Sequence, residues 1–135
     1  MSVTVRIQNE AIDMEPLVRE LTTPDCGAVL VFHGVVRDQD GGRPVEAIDY
    51  SSYAGMAESE LGKVAQVCAE RHAVSHVAVV HRLGRLRVGE ASLGLVVAAP
   101  HRRPAFECGL EIIDEMKKSV PIWKKEIGPD GSQWK

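Results

Sequence analysis

Residues Ser92–Ile127 read SLGLVVAAPHRRPAFECGLEIIDEMKKSVPIWKKEI, and the changes of pattern inside them decide the fold class. Ser92 to Ala99 is an apolar run of strand length, as expected of a buried strand. Pro104 fits the first position of a helix, where its missing N–H costs nothing. The helix should run to about Lys118, with Phe106, Leu110, Ile113 and Met116 on its inner face. Pro121 stops it, and Ile122 to Ile127 returns to strand. Gly128-Pro129-Asp130-Gly131 then turns the chain into a brief last strand near Trp134.

Working outward, Val3 to Gln8 alternates apolar and polar residues and reads as a strand. Glu15 to Leu21 suggests a short helix, closed by the turn Thr22-Thr23-Pro24-Asp25. Gly27 to Val36 (GAVLVFHGVV) is a strong strand signal that reads as well buried. Arg37 to Pro44 turns polar and glycine-rich, a long hairpin loop or a mobile lid over about residues 38–45, before a strand from Val45 to Ser52. Met56 to Arg71 is an amphipathic helix with Ala57, Leu61, Val64, Ala65 and Cys68 on one face. His76 to Arg82 is a strand, and Leu83 to Gly89 a short strand and turn. Hairpins mixed with crossovers make this an α+β domain with a mixed and antiparallel sheet, one domain over residues 1–135.

A net charge of −3 argues against a general nucleic-acid binder, whose affinity rests on surplus Lys and Arg. No stretch approaches the roughly 20 apolar residues needed to cross a membrane. The start, Met1-Ser2-Val3-Thr4-Val5-Arg6, lacks the basic and apolar segments of a secretory signal. Three widely spaced cysteines, Cys26, Cys68 and Cys108, fit reduced thiols buried as small hydrophobes in a cytoplasmic protein. The histidines show no metal-ligand spacing among themselves, and no glycine-rich nucleotide loop is present. Neither a metal nor a cofactor is expected.

Against that acidic background, His101 to Lys125 gathers a histidine and at least four cations within 25 residues. His101 and Arg102 fall just before a helix start, where free N–H groups and the helix dipole favour an anion. Lys117 and Lys118 close the same helix, where cations complement the carbonyl end. Lys117 borders the buried stripe and is the better candidate to face a cleft. Lys124 and Lys125 project to opposite faces of their strand, Lys124 with Ile122 and Glu126, Lys125 with Trp123 and Ile127. Lysines protecting an exposed edge strand would explain that pair alone. Folding could bring both helix ends to one pocket, suited to a small phosphate-bearing substrate, with Arg37 anchoring an anion from the loop. His33 and His81 read as core or edge histidines.

Several pieces together resemble the large, catalytic subunit of molybdopterin synthase, the MoaE family. They are Gly27-Ala28-Val29 to Phe32, Gly34-Val35-Val36-Arg37, Tyr53-Ala54-Gly55-Met56, His81-Arg82-Leu83-Gly84 and Val88-Gly89-Glu90. They continue with His101-Arg102, Ala105-Phe106-Glu107, Asp114-Glu115-Met116-Lys117 and Val120 to Glu126, covering about residues 27 to 134. The resemblance implies an α/β-hammerhead fold and a homodimer. It further implies a 2+2 heterotetramer with a small ubiquitin-like sulfur carrier that ends in a Gly-Gly thiocarboxylate. The implied substrate is cyclic pyranopterin monophosphate, which receives two sulfurs as the dithiolene of molybdopterin. Carried over by position, Arg37, His101 and Arg102 would bind the substrate. Lys117 and Lys124 would be the functional lysines, and Val35, Val36, Lys125 and Glu126 would line the pocket. Family members often continue with a basic tail, so contacts from such a tail are not expected within these residues. The alternatives are a non-catalytic module binding a phosphometabolite and a partner subunit whose basic groove merely accepts a carrier's tail.

Overall fold

The apolar run at the head of the deciding stretch forms β8 (Ala91–Ala99), buried from Ser92 to Ala99. In the computed structural model, which describes residues 1–53 and 55–135, β8 sits inside a four-stranded sheet. The other strands of that sheet are β1 (Ser2–Gln8), β6 (His76–Arg82) and β2 (Ala28–Val35), in the order β1-β6-β8-β2. β1 is parallel to β6, and β8 is antiparallel to both β6 and β2.

Alternate residues of β6 and β8 feed two separate cores, which is why residues 77–80 and 93–99 are apolar without a break. Val77, Val79, Leu95 and Val97 pack under α2 (Met56–His72) and α3 (Arg102–Ser119). Ala78, Val80, Val96 and Ala98 pack on the other face with Met14, Leu17 and Leu21 at α1 (Glu15–Leu21). Gly94 makes that second core possible. A Cβ there would lie 2.5 Å from Met14 Sδ and 3.0 Å from Ile12 Cγ2.

The second sheet holds β5 (Ala47–Ser52), β7 (Gly84–Arg87), β9 (Ile122–Ile127) and β10 (Gln133–Trp134), in the order β10-β9-β5-β7. All its pairings are antiparallel. Its core is small: Val36, Val45, Ile48 and Leu86, flanked by Tyr50 and Trp134. One residue, Leu83, separates β6 from β7, so the chain passes directly between sheets. Gly84 makes that corner with φ 99°, a conformation an L side chain rarely adopts. The expected loop after Arg37 is a hairpin of β3 (Gln39–Asp40) and β4 (Arg43–Pro44), turned through Gly41 and Gly42 at positive φ. Ala54, within the Tyr53–Met56 piece, lies outside the described residues.

Three expectations are corrected. β2 is not well buried: it is the sheet's edge, and Val31, Phe32, His33 and Val35 are exposed. A strand with one neighbour and partial helix cover exposes both faces near its end. Second, Phe106 (61%) and Leu110 (62%) of α3 point outward. The buried stripe is Ala105, Cys108, Gly109, Ile112 and Met116. Small residues win it because the helix lies close to the sheet, where a Cβ on Gly109 would be 3.0 Å from Leu30 Cδ2. Third, α3 begins at Arg102, so Pro104 is its third residue, still among the N–H groups a helix leaves unpaired. Among the described residues no helix is long and apolar enough to cross a membrane.

Candidate functional site

A chamber of about 420 Å³ opens where the end of α3 meets the second sheet and the tip of β2. Val35, Tyr50, His81, Met116, Lys117 and Lys124 are among its lining residues. Lys117 follows the buried Met116 in the last turn of α3 and so stands at the margin of the packed stripe. Lys118, one residue on, instead pairs with Glu115 at 3.6 Å. Lys124 is opposite Tyr50 across the β5–β9 ladder, and strand alternation puts both on the chamber side with Ile122. Neither Lys117 nor Lys124 has a carboxylate within 4.0 Å among the described residues. No Asp or Glu lines the chamber. Two cations thus share one partly enclosed space that no carboxylate lines, Glu126 acting on Lys124 only through space, an arrangement that favours an anionic guest.

His81, read from sequence as a core or edge histidine, also faces this space. It is 6% exposed, and its ring meets Tyr50 edge-on with centroids 5.1 Å apart. Nδ1 lies 2.9 Å from the Arg82 carbonyl. A carbonyl only accepts, so Nδ1 carries the hydrogen and Nε2 keeps its lone pair. Burial pulls the His81 pKa below its ordinary value, and the carbonyl contact only partly opposes this. His81 is therefore uncharged at neutral pH. Sequence reading missed it and Tyr50; the one available signal was the place of His81 in a matched four-residue piece.

The other expected site residues scatter. Val35 lines the chamber, whereas Val36 turns into the second core and Arg37 is exposed beside the hairpin. Lys125 projects to the opposite face from Lys124, paired in register with Asp49. Asp49 is held below the usual carboxylate range by its bidentate contact with Arg85 at 2.8 and 2.9 Å, with Lys125 adding to the effect. Glu126 shares the face of Lys124 but is 3% exposed and does not line the chamber. Burial first, then the neighbouring Asp40 carboxylate, push the Glu126 pKa up. Glu126 Oε1 has no hydrogen-bond partner among the described residues, nor does Trp134 Nε1 on the strand directly opposite. The Arg43 guanidinium stacks 4.5 Å over the Trp134 ring, tying the hairpin to this corner.

His101 caps α3 with extended backbone and no side-chain cap bond, and Arg102 is the first helical residue; both are exposed. From Arg102 to Lys117 the helix rises roughly 22 Å at 1.5 Å per residue. Within one chain, then, the two helix ends do not share a pocket, which corrects the expectation that folding would join them. A continuous helix is a spacer, not a clamp.

The thiols are not poised for attack. Burial pushes Cys68 up to about 12 and Cys108 up to about 11, so both stay protonated at neutral pH. Cys26, only half-buried, lies with Asp25 and His76 so that one ligand-type atom of each falls within 4.8 Å of the others. Hydrogen bonds already occupy that group: Thr23 and Ser75 donate to Asp25, while Ser2 and Thr23 lie 2.7 and 2.9 Å from the His76 ring nitrogens.

The family model described as MoaE protein matches residues 7–119. The chain is 38% identical over 135 residues to the molybdopterin synthase catalytic subunit of Mesorhizobium japonicum, covering 98% of this chain and 84% of that protein. It is 37% identical over 125 residues to the protein of the same name in Pyrococcus abyssi, covering 93% of this chain and 84% of that one. The crystal structure of molybdopterin synthase from Staphylococcus aureus superposes with a TM-score of 0.89 at 35% identity, covering 96% of this chain and 94% of that chain.

Proposed function

The chain belongs to the MoaE family of molybdopterin synthase catalytic subunits, and from that premise we propose that the chamber between Lys117 and Lys124 is its site of sulfur transfer. The reaction adds sulfur to cyclic pyranopterin monophosphate, taking it from the C-terminal thiocarboxylate of a small ubiquitin-like carrier, in the cytoplasm. The observation that carries this reading is the pair of lysines in a chamber lined by no carboxylate. Two anions, a phosphate and a thiocarboxylate, must meet there. Fixed cations make that approach tolerable and hold the partners in reacting geometry.

The nucleophile comes with the carrier, so no protein thiol is required, consistent with the inert Cys68 and Cys108. A lysine ammonium can donate a proton to the oxygen that leaves as the cyclic phosphate opens. Lys117 takes this acid–base role beside the carrier's terminus, and Lys124 chiefly stabilises charge. Arg37, at the mouth of the hairpin, reaches toward the phosphate. Val35 contributes an apolar wall, and Val36, Lys125 and Glu126 support the strands that present it.

His101 and Arg102 join this site through a homodimer. Phe106 and Leu110 leave an apolar face on α3 next to the exposed edge β2. A two-fold pairing over that face would set two copies of α3 antiparallel. The start of one α3 would then lie by the end of the other, bringing the second copy's His101 and Arg102 to Lys117. With one carrier at each end, the assembly is a 2+2 heterotetramer.

Mixing the chain with thiocarboxylated carrier and cyclic pyranopterin monophosphate should yield the dithiolene product, detected as its fluorescent oxidised pterin. Binding of both reactants without conversion would support the non-catalytic readings instead. A strict monomer by sedimentation with full activity would rule out the shared site.

A further inference from the structure

When a thiocarboxylate sulfur bonds to a substrate carbon, it is still bonded to the carrier's acyl carbon. Each transfer on the reading above therefore passes through a thioester, and water must cleave it to leave sulfur on the product. That second half of the chemistry needs a proton acceptor in the chamber. A lysine ammonium has hydrogens to donate and no lone pair to accept one, and a tyrosine hydroxyl is foremost a donor. None of the three thiols lines the chamber, nor does any carboxylate.

We infer that His81 is the proton acceptor that activates water to cleave the carrier–substrate thioester. Its Nδ1–H is held by the Arg82 carbonyl at 2.9 Å, which leaves the Nε2 lone pair as the basic site. Nε2 has no hydrogen-bond partner among the described residues, yet it is not one of the chain's buried unpaired polar atoms. It is therefore open to the chamber that His81 lines. The orienting partner is a backbone carbonyl, which plays the part a carboxylate plays in a hydrolytic triad.

The step balances simply. The water oxygen bonds to the acyl carbon and one water proton passes to His81 Nε2. The carbon–sulfur bond breaks with its electron pair on sulfur, giving substrate thiolate. The carrier departs as a carboxylic acid that loses its proton to solvent, and the imidazolium returns its own proton to thiolate or solvent. Tyr50 from β5, Lys124 from β9 and Lys117 from α3 are the titratable groups facing the ring. Leu93 from β8 and Ile7 from β1, its ladder neighbours, bring no charge. Arg82 is engaged with Glu90 at 3.1 Å. Burial disfavours a lasting imidazolium and so favours return of the proton.

The inference rests on the sulfur-transfer reading and fails separately from it. In single-turnover mixtures of the chain, thiocarboxylated carrier and cyclic pyranopterin monophosphate, His81→Gln and His81→Asn should still form the carrier–substrate adduct within a few-fold of the wild-type rate. Intact mass spectrometry should show that adduct persisting, with carrier release slowed about 100-fold or more. Added imidazole should restore part of the release, which a merely structural role would not allow. Release at the wild-type rate, or loss of adduct formation in step with release, overturns the inference. Wild-type protein that makes no adduct overturns the sulfur-transfer reading itself. If both variants unfold, histidine 15N spectra of the intact chain decide: an Nδ1–H tautomer at pH 7.5 is expected, and an Nε2–H tautomer sinks the idea.

Discussion

The two four-stranded sheets are built to different ends. In the first, β6 and β8 are apolar on both faces, and helices cover both. In the second, the core shrinks to Val36, Val45, Ile48 and Leu86, while Asp49, Arg85, Lys124, Lys125 and Glu126 stand on its strands. Among the described residues, the buried polar atoms left without partners, on Glu126 and Trp134, are in the second sheet as well. Stability is concentrated in one sheet and electrostatic tension in the other. The chamber forms at their junction, taking His81 from the first and Tyr50 and Lys124 from the second.

That contrast can be broken by experiment. Leu95→Ala, in the fully buried centre of the first sheet, should cost about 3–5 kcal/mol in chemical unfolding. Ile48→Ala in the second sheet should cost distinctly less, and equal losses would erase the division. Lys117→Ala should reverse the pattern. We expect sulfur transfer to fall about 100-fold, roughly 2.7 kcal/mol of barrier, while the unfolding midpoint stays nearly unchanged. Full turnover by this variant would falsify the acid–base role.

Glu126→Gln tests whether the second sheet carries tension. The folded-state pKa of Glu126 is raised, so the folded chain binds more protons than the unfolded one above the ordinary carboxylate value of 4.5. Its contribution is complete below that value and is lost as pH rises through the folded pKa. The substitution should therefore stabilise the chain at pH 7 to 8 and flatten the pH dependence of its melting temperature. A lower melting temperature at pH 8 would show instead that the carboxylate is needed. At the small end, Arg85→Ala removes an exposed bidentate pair with Asp49 and should lower the urea unfolding midpoint only slightly.

Much of this was legible in the sequence wherever a local pattern decided the outcome. The bounds of β6 and β9 and the span of α1 follow directly from alternation, caps and prolines. The buried face of α2 was also readable, because Leu61, Ala65 and Cys68 recur at helical spacing. The stripe of α3 was not, since close packing selected Ala105, Cys108 and Gly109 over the larger Phe106 and Leu110. β2 looked buried because its residues are apolar; its edge position depends on pairing with β8 some sixty residues away. The lysines illustrate the same limit. Strand alternation and the helix margin separated Lys117 and Lys124 from Lys118 and Lys125, but the meeting with His81 and Tyr50 depends on how two sheets join. A helix's length likewise set His101 and Arg102 apart from Lys117, a distance that proximity in sequence concealed.

The parallel pairing of β1 with β6, Ser2 opposite His76, has a kinetic consequence. During synthesis β1 has no partner until β6 has followed it. Closing so long a loop before the contact rewards it is slow, and chains rich in such contacts fold slowly. Until β6 arrives, Val3, Val5 and Ile7 offer an unpaired apolar strand to any other nascent chain. The working assembly therefore begins with an interval in which β1 is the segment most in need of a chaperone.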